Sequence, residues 1–213
     1  MSRVLSAIAV AVWALGAVVL AQHHSGNIGD RSAPVFRRLS VGSAVLKNAS
    51  SAPHTVEVTL TAEPARLSLV PGTLSDVYAY NGRVPGPTLD VREGDRVVVH
   101  FWNRLPEATT VHWHGLHIPF ASDGTPFHPV APGERHDYVF TLKRGSAGTY
   151  WYHPHPHAET GSQVARGLYG SIIVRAADDP LRGVPEKLVV LSDNRFLANG
   201  AIDLPADESM QAI

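Results

Sequence analysis

Glycine and proline interrupt this 213-residue chain throughout, eighteen and sixteen of them spread along its length rather than clustered. Proline breaks a helix interior and glycine weakens one, so such spacing favours short strands joined by turns. The segments between the breaks alternate apolar and polar residues, the period of a half-buried strand. Arg96 to Trp102 is the clearest case, bounded by Glu93-Gly94-Asp95 and by Asn103. Strands are also predicted at His54 to Leu60, with Ala65 to Val70 as a short partner, and at Val77 to Tyr80 before the Asn81-Gly82 turn. Further strands follow at Thr110 to Leu116, His136 to Leu142, Thr149 to His153 and Gly170 to Val174, with one short helix around Gly161 to Leu168. An all-β sandwich or barrel accommodates this series, and the prediction is a Greek-key β-sandwich from about Thr55 to Arg175.

A net charge of −1 with no long basic run gives no support for nucleic-acid binding through phosphate neutralisation. At its start the chain has Arg3, an apolar run from Val4 to Leu20, and the small-residue end Val19-Leu20-Ala21. These are the parts of a signal peptide spanning residues 1–21 and cleaved after Ala21, which implies an exported protein, periplasmic or extracellular, with no stable membrane anchor afterwards. A retained anchor is the competing reading, because the run just reaches spanning length. Residues 22–53 read as a linker or weakly structured segment and 54–175 as the main domain. Lys187-Leu-Val-Val-Leu191 starts a further strand, so 176–213 reads as the opening of a second domain. The chain holds no cysteine, which excludes disulfides and denies a blue copper site its thiolate.

Two His-x-His pairs, His112-Trp113-His114 and His153-Pro154-His155, sit in segments that otherwise read as β-strands. Residues i and i+2 of a strand point the same way about 6.5 to 7 Å apart, so each pair presents two imidazoles on one face. That spacing suits neighbouring ions or a cluster better than one chelated ion. If the two strands are adjacent, all four rings converge, with Trp113 and Pro154 turned away. Neutral imidazole favours copper, zinc, iron or nickel over magnesium or calcium. A solvated surface pair is the bland reading of either motif alone, but two flanked by aromatics make it a poor account of both. His157 extends the second pair to His-Pro-His-Pro-His, yet proline ends a ladder there, which places His157 behind the ligands or on the surface.

Tyr80-Asn-Gly-Arg-Val-Pro-Gly-Pro-Thr88, Val91-Arg-Glu-Gly-Asp95, Thr110-Val-His-Trp-His-Gly-Leu116, Gly148-Thr-Tyr-Trp-Tyr-His-Pro-His155 and Gln163-Val-Ala-Arg-Gly-Leu-Tyr-Gly170 together resemble the amino-terminal cupredoxin domain of multicopper oxidases. The His-Pro-His-Pro-His form is similar to their bacterial laccase-like and cuprous-oxidase-like branch. The resemblance implies a cupredoxin-like Greek-key sandwich and a copper cofactor. In such enzymes a type 1 copper takes electrons from a reducing substrate and passes them to a trinuclear cluster, where dioxygen becomes water. Histidines of the first and last domains share that cluster.

Carried over residue by residue, the resemblance makes His112 a ligand of the type 2 copper, His114 and His153 ligands of one type 3 copper, and His155 of the other. Asp123 matches the acidic residue that helps move protons near the cluster, although a plain Asp123-Gly124 turn accounts for it equally well. The family's carboxy-terminal His-x-x-His-x-His and His-Cys-His elements are absent. The chain therefore reads as a fragment supplying half of the cluster ligands and inactive by itself. The alternative is a stand-alone exported copper-binding or copper-buffering module.

Overall fold

A computed structural model describes residues 44–204, which lie within the compact unit Ser32–Ile213. The predicted signal segment and most of the predicted linker fall outside the described residues. Among the described residues no helix is long and apolar enough to cross a membrane.

Eight strands form two four-stranded sheets. The first has the order β2-β1-β4-β6, with β1 Thr55–Leu67, β2 Ser75–Tyr80, β4 Arg96–Asn103 and β6 Arg135–Thr141. The second has the order β3-β8-β7-β5, with β3 Gly86–Arg92, β8 Gly170–Arg175, β7 Gly148–His153 and β5 His112–His114. The fold is the cupredoxin-like sandwich, and its core follows from strand parity. Val58, Leu60, Val97, Val99, Phe101, Tyr138 and Phe140 of one sheet meet Leu89, Val91, Trp113, Tyr152, Ile172 and Val174 of the other in one buried cluster.

Several elements differ from the sequence reading. Ala65 to Val70 is not a separate partner strand, because β1 runs unbroken to Leu67. Its first part pairs with β4 from Thr55 to Ala62 and its second with β2 from Ala62 to Leu67. Pro64 lies beyond the reach of β4, opposite Tyr78, whose N–H donates to Arg166 O instead of to β1. The missing proline N–H therefore costs no ladder bond. Strand β3 went unpredicted because it opens on Gly86-Pro87, which reads as a turn; a register shift between Gly86 and Leu89 accommodates it. Lys187 to Leu191 forms no strand and leaves Leu191 largely exposed. An apolar run confers only propensity, and a strand exists by pairing. The helix shortens to α1, Thr160–Ala165.

β5 comprises only three residues, at the sheet edge, yet it is firmly held. Trp113 is 1% exposed and packs against Tyr138, Phe140 and Tyr152, with ring centroids 5.6, 5.2 and 6.0 Å away. Its Nε1–H donates to Ser122 O at 3.0 Å, and the Ser122 hydroxyl donates to Val139 O on β6 at 2.7 Å. Tyr138 accepts the Val111 N–H at 2.9 Å from across the sandwich. Trp113→Ala should therefore cost about 3 to 5 kcal/mol, the usual penalty for emptying a buried aromatic site. Urea unfolding of the metal-free chain measures this, and an unchanged midpoint would show that Trp113 does not anchor β5.

Candidate metal centre

The antiparallel register of β5 and β7 sets His112 opposite His153 and His114 opposite Trp151. Odd and even positions face opposite ways, so these four side chains share the outer face while Trp113 and Tyr152 share the core. His155, just past the end of β7, completes the group. Ring centroids of His112 lie 5.6 Å from His114, 5.4 Å from His153 and 5.3 Å from His155. All four rings named from the sequence are thus brought together. His157 is exposed, and Pro154 is buried.

Main-chain carbonyls orient two of the rings. His112 Nδ1 lies 2.8 Å from Asp123 O, and His153 Nδ1 lies 2.8 Å from Pro154 O. A carbonyl only accepts, so each Nδ1 carries the proton and each Nε2 keeps a lone pair for a metal. Across the centre, His114 Nδ1 and His153 Nε2 are 3.2 Å apart. Two nitrogens on one tetrahedral ion at ordinary bond lengths sit roughly 3.3 Å apart, so this pair fits a shared ion without rearrangement. One ring nitrogen each of His112, His114 and His153 can be chosen so that all three lie within 4.8 Å of one another. An all-imidazole donor set of this kind fits copper and does not fit magnesium or calcium.

Burial grades across the group. His153 is 2% exposed, His112 and His155 are half-buried, and His114 stands at the exposed rim. Burial, reinforced by the neighbouring rings, pushes the His153 imidazole down to about 4, while partial desolvation and the His112 and His155 rings lower His114. Both shifts favour the neutral, metal-ligating form.

Asp123 reaches the centre through two of its atoms. Its carbonyl accepts the hydrogen bond from His112 Nδ1–H, while its buried carboxylate Oδ1 lies 3.3 Å from the same nitrogen, beyond good hydrogen-bond geometry. Burial raises the carboxyl above the usual range, against the opposing pull of His112 and His155. Gly124 makes this approach possible: a Cβ there would meet Val111 O at 1.9 Å, and φ is +66°.

Sequence reasoning missed the residues behind the ligands. Fully buried Gln163 of α1 accepts from the Thr109 hydroxyl at 2.7 Å and donates to Glu107 Oε1 and Ala108 O, both at 2.9 Å. The next residue, Thr110, accepts the His155 main-chain N–H at 2.8 Å. The helix is thereby linked, through Thr109 and Thr110, to the main chain of His155. Trp151, whose indole stacks on His153, was detectable as the residue two positions earlier on the same face.

The multicopper oxidase family model matches residues 61–179. Among curated proteins, the chain is 36% identical over 146 residues to the multicopper oxidase mco of Staphylococcus aureus, covering 66% of this chain and 32% of that one. It is 38% identical over 128 residues to copper resistance protein A of Escherichia coli, covering 58% and 20% respectively. Among solved structures, a multicopper oxidase from Campylobacter jejuni described as a metallo-oxidase superposes with a TM-score of 0.67 at 38% identity, over 75% of this chain and 34% of that one. A multicopper oxidase from Pediococcus acidilactici gives 0.71 at 30% identity, over 85% and 39%. The chain thus spans about a third or less of the length of these curated relatives.

The buried neutral ring makes stability depend on pH. Unfolded, His153 protonates near 6.5; folded, only near about 4. Between those values the unfolded state binds the extra proton, so this contribution is complete above about pH 6.5 and is lost as pH falls towards 4. Metal-free wild type should lose stability relative to His153→Gln over that window, by an amount approaching roughly 3 kcal/mol. Denaturant curves of both proteins at stepped pH test this, and parallel pH profiles would refute it.

Proposed function

The chain belongs to the multicopper oxidase family, and on that premise we propose that it is the copper-binding amino-terminal part of such an enzyme, supplying His112, His114, His153 and His155 as half of the ligands of a trinuclear centre. The observation carrying this reading is the convergence of four imidazoles from the two His-x-His pairs, with His114 Nδ1 and His153 Nε2 3.2 Å apart. His112 serves the type 2 position, His114 and His153 share one type 3 position, and His155 serves the other. Copper bound there supplies the one-electron redox chemistry by which a reducing substrate is oxidised and dioxygen is reduced to water.

The chain's own residues hold that chemistry in place. The Asp123 and Pro154 carbonyls keep protons on the Nδ1 atoms of His112 and His153 and so aim the opposite lone pairs into the centre. To the Asp123 carboxyl, whose buried Oδ1 lies 3.3 Å from His112 Nδ1, we assign the holding of a proton beside the centre. Its raised carboxyl supports that role. Arg3 and the apolar run from Val4 to Leu20 support export, to the periplasm or the outside of the cell.

Copper(II) titration of the full chain tests the reading. Uptake is expected, with ligand-field absorption but no intense blue band, since no thiolate is present. His114→Ala, a change at the exposed rim, should weaken uptake at least about tenfold, the lower end of what loss of an anchoring group costs a metal site. Equal uptake by wild type and a His112→Ala, His114→Ala double variant would remove the four histidines as the copper site.

A further inference from the structure

We propose that Trp151 is a positioning residue for the histidine centre, its indole fixing the ring planes of His153 and His114 so that their facing nitrogens stay at the distance that one ion requires. The inference rests on the copper reading above and adds a residue to it. Trp151 lies two positions before His153 on β7 and directly across the ladder from His114, so parity brings its ring against both. Its centroid is 4.0 Å from that of His153 at an interplanar angle of 18°, a face-to-face stack, and 5.1 Å from that of His114 at 37°.

Both imidazoles need such a restraint. The ring torsion of histidine is broad, so backbone and rotamer leave the plane loosely set. Apart from its contact with His114, the His153 ring is tethered through Nδ1 to Pro154 O. His114 bonds to His153 itself, which cannot orient the two rings independently. A rigid third plane in contact with both supplies what is missing.

The indole's setting sets it apart from a core residue. Trp151 is 38% exposed where Trp113 is 1% exposed. It also borders an open cavity of about 540 Å³, shared with His153, Val164 and Tyr169. Much of its surface thus faces space, while its face is committed to His153.

Full-chain Trp151→Phe keeps a planar ring, and Trp151→Leu keeps apolar bulk without one. Both are compared with wild type by copper(II) titration against a competing chelator and by thermal melting of the metal-free protein. Similar melting is expected for all three, with copper binding about threefold to tenfold weaker in Trp151→Leu, the effect of losing one aromatic stack. Trp151→Phe should recover most of that loss. Wild-type affinity in Trp151→Leu overturns the proposal and leaves the copper reading standing, as does a Phe variant as weak as the Leu variant. A Leu variant melting well below the others assigns Trp151 to the fold and also overturns the proposal. Wild type that takes up no copper overturns the copper reading, and the inference falls with it.

Discussion

The cross-strand register of β5 on β7 is the constraint on which the site depends. His112 faces His153 and His114 faces Trp151, while Trp113 and Tyr152 turn inward together. A slip of one residue would exchange the faces, burying imidazoles in an aromatic core and exposing an indole. Three ladder positions cannot hold that register by themselves. Trp113 holds it, because its ring fits between Tyr138, Phe140 and Tyr152 and its N–H reaches Ser122. Packing on one face thus sets the arrangement of the histidines on the other.

The same side chain ties the core to the loop that carries Asp123. Ser122 accepts from Trp113 and bonds to Val139 on the opposite sheet, so the next residue along is fixed against His112. Gly124 then lets the chain turn against Val111 at a distance no Cβ permits. Orientation of His112 and His153 by main-chain carbonyls has a physical advantage over orientation by side chains. The acceptors move only if the backbone moves, so the lone pairs are aimed before any ion arrives.

Much of this was legible in the sequence. The His112-Trp113-His114 pair announced its shared face through the period of a strand, and Trp113 announced its burial by falling between the two histidines, whereas His155 joins the group from just past the end of β7. The surrounding motifs pointed to the cupredoxin sandwich. Pairing was less legible. β1 reads as two strands because Pro64 sits inside it, and only the hand-over from β4 to β2 at Ala62 explains why proline is tolerated. β3 hides behind Gly86-Pro87 for the related reason that a register shift absorbs the proline. Lys187 to Leu191 has strand composition without a ladder. Gln163 and Trp151 act on the histidines only through space, 54 residues away from Thr109 in one case and across a ladder in the other. No local pattern carries that information.

The grading of burial across the four rings gives each a different task. His153, sealed by the core and by Trp151, is held neutral at the expense of stability at low pH. His114, at the rim, meets solvent and sets its Nδ1 3.2 Å from Nε2 of the buried ring. Placing a firmly held imidazole beside an accessible one leaves the inner side of the group rigid and its outer side open to solvent. A sandwich edge offers this naturally, because alternate residues of its last strand lie between a packed core and water. The short edge strand is therefore part of how the fold presents the histidines, with Trp113 supplying the rigidity that three ladder positions lack.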